Sequence, residues 1–185
     1  RAEIVSAIRD RRDRTADPET VGTFADVDPT DTAALVEGLV AGFREHTRYD
    51  VPRYIAGSIE DNVLLGTIDL RRHFEADVSF EALLEADTTG IFCWELVYRS
   101  IEALQAVRPG RQSIPVAACY VSDRRHKHAF TGLLSAVREN GSLRFPMTFV
   151  DYTHTTMYDD FGLRGVLGEG LAAHDDGHRA DEIYW

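Results

Sequence analysis

The segment Ile114 to Val121 (Ile-Pro-Val-Ala-Ala-Cys-Tyr-Val) constrains the fold most. It carries no charge, and an apolar run of this length reads as a β-strand covered on both faces. Pro109-Gly110 closes whatever precedes it, and Arg124-Arg125-His126-Lys127-His128 returns the chain to water soon after. With 185 residues, 44% hydrophobic and 28% charged, the chain has enough apolar surface to bury such a strand in one compact domain.

Around this strand the periodicities predict an α/β (α+β) arrangement with a mixed central sheet and helices on both faces. Phe130, Leu133, Leu134 and Val137 form a helical stripe, Asn140-Gly141 supplies a stop, and Phe145 to Val150 reads as a strand. Residues 114–150 therefore predict a strand, helix, strand unit with parallel strands and a right-handed crossover. Ser122 to His128 and Asp151 to Tyr158 would then share the carboxyl edge, where open α/β sheets bind ligands.

Upstream, Val21 to Ala25 predicts a short strand. A helix to about His46 follows, with Asp28 as N-cap, Pro29 at its first position and a stripe of Leu35, Val36, Leu39, Val40 and Phe43. Arg53 to Ser58 and Val63 to Leu70 predict a hairpin turning at Asp61-Asn62. Ser79 to Val107 predicts helix in two pieces, broken near Thr88-Thr89-Gly90, and Ile183-Tyr184-Trp185 a closing strand. Residues 1–20 read as a charged arm and residues 21–185 as a single domain.

The net charge of -11 and pI near 5.0 repel a polyanion, so nucleic acid is not an expected partner. No apolar run reaches the roughly 20 residues of a membrane crossing. The two cysteines, Cys93 and Cys119, are too few for a disulfide framework and lack zinc-site spacing, which predicts a soluble protein of a reducing, cytoplasmic compartment. Cys119 sits in the apolar strand and reads as a small core residue, and Cys93 reads the same way. No Gly-x-Ser-x-Gly elbow, Walker A loop or dinucleotide fingerprint occurs.

Three groups of residues have chemical potential. The basic run Arg124 to His128 lies between a buried strand and an expected helix start, a place for a phosphate or simply a solvated turn. Tyr158 has a phenol suited to general-acid work or to packing. Asp151, His154, Asp159, Asp160, His174, Asp175, Asp176 and His178 supply oxygen and imidazole donors, but no metal-ligand spacing, so no metal is expected.

In order along the chain, several segments resemble the acyl-CoA-dependent N-acyltransferase superfamily called GNAT. Asp26-Val27-Asp28-Pro29-Thr30-Asp31 resembles its first strand-to-helix passage. Tyr54 to Ser58 with Asp61 to Thr67 resembles its second and third strands, and Tyr158-Asp159-Asp160-Phe161-Gly162-Leu163 a stretch near its end. The resemblance implies that the strand holding Cys119, Tyr120 and Val121 pairs with a pantetheine arm. It implies that the loop Arg125, His126, Lys127, His128, Ala129 and Phe130 wraps the pyrophosphate of an acyl-CoA co-substrate. Tyr158 would protonate the departing thiolate, and Asp151 would stand where an asparagine is common. His128 and Phe130 replace the family's glycines, and residues 71–113 form a helical insertion between the third and fourth strands.

The expected function is thus transfer of an acyl group to an amine or another small-molecule nucleophile, a cationic one being favoured by the acidic surface. One alternative is a non-catalytic binding or accessory protein, using Phe80 to Leu104 with Trp94 and Tyr98 as a homodimer or partner surface. The other is an unrelated α/β enzyme with an Asp/His metal site in its C-terminal third.

Overall fold

The computed structural model describes residues 16–106, 116–157 and 179–184, together with Ser6. The first helix, α1 (Pro18–Ala25), begins where Asp17 accepts a hydrogen bond from the Thr20 N–H at 2.9 Å, with Pro18 in the first turn. It ends at Asp26, which adopts φ 52°. Val21 to Ala25 is therefore helical and not a strand, and it buries Val21, Phe24 and Ala25. The next helix, α2 (Thr32–His46), is capped by Asp31, which accepts from the Ala33 and Ala34 N–H groups at 3.1 Å each. Asp28, expected as the cap, instead holds Thr30 in a turn before the helix, accepting from its N–H at 2.9 Å. The two helices approach closely at Gly38 and Gly42.

After the short strand β1 (Thr47–Tyr49), the expected hairpin is absent. Residues 51–62 form helix α3 (Val51–Asn62), with Asp50 accepting from the Arg53 N–H at 2.9 Å and proline in the first turn. Its buried face is Arg53, Ala56, Gly57 and Glu60, at helical spacing but polar or small. Tyr54, Ile55 and Ile59 face outward, so apolar patterning pointed to the wrong structure. A 3-10 turn (Arg71–Phe74) closes against it through Arg71, whose guanidinium donates to Glu60 at 2.6 Å.

The predicted break between two helical pieces is present. Helix α4 (Phe80–Glu85) is followed by β2 (Thr89–Ile91), parallel to β1, and then by α5 (Cys93–Ala106). Helix α5 is buried along most of its length, from Leu96 to Ala106, and packs on the main sheet.

That sheet is built from β3 (Val116–Asp123), β4 (His128–Ser135), β7 (Met147–Val150) and β8 (Glu182–Tyr184). Its order is β7-β4-β3-β8 and every neighbouring pair is antiparallel. The expected helix over residues 130–137 is strand β4, and the parallel strand, helix, strand unit is an antiparallel hairpin with a third strand added. Pairing with β3 along the whole of β4, from Asp123↔His128 to Val116↔Ser135, overrides the accidental helical spacing of the apolar residues. Asn140 (φ 49°) and Gly141 (φ 79°) do not stop a helix but turn a small hairpin of β5 (Val137–Glu139) and β6 (Ser142–Arg144).

Alternation then assigns the faces. Tyr120 meets Tyr98 of α5 with ring centroids 5.6 Å apart, and the hydroxyls of Thr131 and Ser100 are hydrogen-bonded at 2.7 Å. Ala118, Tyr120, Ala129 and Leu133 thus join α5, Phe43, Phe80 and Tyr152 in one core. The protein is a mixed α and β fold. Because β3 and β7 both oppose β4, they run in the same direction, and their carboxyl ends lie on one edge of the sheet.

Candidate active site

Helix α5 begins with a thiol. Phe92 donates its N–H to Glu95 Oε2 at 2.8 Å, while its carbonyl accepts from the Leu96 N–H at 3.1 Å, so Cys93 is the first helical residue. Such a position gives a sulfur the positive end of the helix dipole. Cys93 is a free, half-buried cysteine.

His128 is the first residue of β4, brought to the sheet edge by the turn at 124–127, where Lys127 takes φ 51°. Asp151 directly follows β7 and opens helix α6 (Tyr152–Met157), with Oδ1 accepting from the His154 N–H at 3.0 Å. Its Oδ2 lies 2.7 Å from His128 Nε2. Cys93 lies close enough to the buried His128 imidazole to strengthen its hold on a proton.

The electrostatics follow from this placement. Burial alone would drive the proton off His128, but the hydrogen bonds and charges of Asp151 and Cys93 outweigh it and raise the imidazole to about 10. The ring therefore holds its proton at neutral pH. Tyr120, on the α5 side of β3, is pushed above the usual phenol range by burial and then by the charges of Cys93, Tyr98 and Tyr184, so it stays a neutral hydroxyl.

Rings border the triad on two sides. Phe92 stacks against Trp94 with centroids 4.6 Å apart, and Trp94 remains 42% exposed. On the other side Phe130 stacks on His128 and meets the exposed Phe149 edge-on at 5.5 Å. The turn before His128 is fixed by Asp123. Its carboxylate is fully buried: Oδ1 accepts from the His126 N–H at 3.2 Å, and Oδ2 accepts from the Arg179 N–H at 3.0 Å and lies 2.9 Å from His126 Nδ1.

The residues expected from sequence are distributed unevenly around this centre. Asp151 and His128 meet directly. Arg125 and Lys127 are exposed on the turn, His126 is tied to Asp123, and Ala129 is buried toward α5. Cys119 is buried within β3, as a core residue. The backbones of Tyr120 and Val121 already pair with β4 on one side and β8 on the other. Tyr158 lies outside the described residues, as do Asp159, Asp160, His174, Asp175, Asp176 and His178. His154 contributes its N–H to Asp151, and among the described residues no group of three or more His, Cys, Asp or Glu side chains is placed to hold a metal.

Cys93 is the residue that sequence reading passed over as core. The signal available was the predicted helix start just after the break at 88–90, with a cysteine at its first turn and a histidine and an aspartate later in the chain. A concavity lined by Asp17, Asp26, Asp28 and Ala106 lies at the opposite end of α5 and includes none of the three residues. Comparison with protein-family models, with curated proteins and with solved structures found no match.

Proposed function

We propose that the protein catalyses acyl transfer through a covalent thioester on Cys93, with His128 as the acid and base and Asp151 as the residue that orients it. The observation carrying this reading is that one imidazole, hydrogen-bonded to a carboxylate, lies beside a thiol at a helix N-terminus. Nucleophile, base and orienting acid in that order make a catalytic triad, recognised by geometry and role.

The sulfur of Cys93, its proton held on His128, attacks the acyl carbonyl carbon; the C–S bond forms as the carbonyl π pair moves onto oxygen. The backbone N–H of Cys93, left without an intrahelical partner at the first helical position, is a donor for that oxyanion. Collapse restores the carbonyl and breaks the bond to the leaving group, which takes the proton from His128. A water or amine then attacks the thioester and gives its proton to His128, and collapse breaks the C–S bond, releasing the acid or amide and returning the sulfur as a thiolate beside the protonated imidazole.

The GNAT resemblance contributes the same reaction class and names acyl-CoA as one donor. The exposed Arg125 and Lys127, on the turn just before His128, favour a substrate with an anionic part such as a CoA thioester. An amine acceptor fits the overall charge of -11.

The test is incubation with acetyl-CoA, a longer acyl-CoA and p-nitrophenyl acetate, followed by intact-protein mass spectrometry. Acylation that maps to Cys93 and disappears in Cys93→Ala is the expected result. Full turnover in Cys93→Ala would overturn the reading.

A further inference from the structure

We infer that Glu95 and Arg53 are positioning residues that hold the backbone turn presenting Cys93, an inference that rests on the thiol reading above. Glu95 Oε2 accepts from the Phe92 N–H at 2.8 Å and from the guanidinium of Arg53. One carboxylate oxygen therefore ties the residue immediately before the nucleophile to a side chain on another helix.

Arg53 is itself held by Glu95, Asp50 and the Phe92 ring, its Nε meeting Asp50 as an ion pair without a hydrogen bond. It is 4% exposed, its Nε lies 3.3 Å from Asp50 Oδ2, and its guanidinium carbon lies 4.2 Å from the centroid of the Phe92 ring. The same cation thus donates to the capping carboxylate of Glu95 and covers the ring of the residue being capped. Asp50 completes the frame, since its N–H donates to the Ile91 carbonyl at 3.3 Å and its carboxylate caps α3. The segment Ile91-Phe92 is consequently anchored at the Ile91 carbonyl, the Phe92 N–H and the Phe92 ring, and the sulfur leaves the next residue.

A surface turn that merely began a helix would need only the cap. Burying an arginine beside a carboxylate is costly unless every partner is in place, and an exposed Ser or Asp cap would supply the same helix start without it. The added rigidity falls on Cys93, whose sulfur must stay aligned with His128 while the acyl carbon approaches; a displacement of about 1 Å costs about a hundredfold in rate.

The experiment measures alkylation of Cys93 by iodoacetamide across pH, resolved from Cys119 by peptide mass spectrometry, beside the thermal midpoint of each variant. Wild-type Cys93 should react faster than free cysteine at pH 6. Glu95→Ala should slow it at least about tenfold. Glu95→Gln, which keeps an oxygen for the Phe92 N–H, should recover most of the rate. Arg53→Lys should lie between, since an ammonium keeps the charge but not the ring contact.

An unchanged rate and pH profile in both Glu95→Ala and Arg53→Lys, with only the thermal midpoint lowered, would overturn the inference and leave the thiol reading standing. Wild-type Cys93 reacting no faster than free cysteine at pH 6 would overturn both. If Glu95→Ala does not fold, the Glu95→Gln and Arg53→Lys pair decides: wild-type rates and profiles in both overturn the inference, and slowing in Arg53→Lys alone supports it.

Discussion

His128 Nε2 and Asp151 Oδ2 are 2.7 Å apart although the residues are separated by 23 positions in the chain. The contact exists because β4 starts and β7 ends at the same edge of the sheet. It holds the His128 ring beside the start of α5, where Cys93 stands.

The first consequence is kinetic. Asp151→Asn keeps an oxygen to cap α6 but removes the charge behind the imidazole, so catalysis should fall by about a hundredfold or more, and stability should fall at neutral pH by the imidazolium contribution but not by the cap. Steady-state rates with the best acyl donor, compared with thermal midpoints, check it. Asp151→Ala should lose activity to a similar degree and also lose the cap, at about 1 kcal/mol.

The pH dependence of stability has a definite sign. Folding raises His128 from an ordinary value near 6.5 to about 10. The imidazolium therefore contributes stability in full below about 6.5, and that contribution is lost as pH rises through about 10. The stability gap between wild type and Asp151→Ala should be large at pH 6 and shrink toward the capping contribution alone by about pH 10.5. Urea unfolding at both values measures it, and an NMR titration of the His128 ring should move down in the variant.

Asp123 gives the opposite dependence. Burial alone would raise its carboxyl, but the hydrogen bonds from His126 and from the Arg179 N–H hold it well below the usual carboxylate range. Its contribution is present above the unfolded value near about 3.9 and is lost as pH falls toward the depressed folded value. Asp123→Ala leaves the N–H groups of His126 and Arg179 without their acceptor and should cost about 2–4 kcal/mol at pH 7. The expected difference from wild type narrows below about pH 3, as read by acid unfolding followed by circular dichroism.

Glycines at the α1–α2 crossing should tolerate nothing larger. A Cβ on Gly42 would lie 2.4 Å from the Phe24 carbonyl oxygen, and one on Gly38 would lie 2.5 Å from that of Ala25. Gly42→Ala and Gly38→Ala should each destabilise by about 1–3 kcal/mol, because rigid backbone is in the way. At Gly57 the nearest atom is 2.9 Å away but belongs to the flexible Arg71 side chain, so Gly57→Ala should be much milder. Thermal denaturation of the three variants ranks them.

Sequence alone determined the features that short-range chemistry fixes. The uncharged run at 116–121 is a strand, the break near Thr89 divides two helices, Met147 to Val150 is a strand, and Ile183-Tyr184 closes the sheet. The edge that brings Asp151 to the 122–128 loop was also predicted, although through a parallel unit that the chain does not form. Tertiary structure decided whatever depended on a partner. Residues 128–135 have helical spacing and become a strand because β3 offers a full ladder of backbone partners. Residues 51–62 turn their larger apolar side chains outward and become a helix because Arg53 and Glu60, on the buried face, find Glu95 and Arg71. Cys93 looks like any buried cysteine until an imidazole that comes from another layer of the fold is placed beside it. A side chain's chemistry depends on the charges and dipoles within a few ångströms, and only folding assembles those from distant parts of the chain.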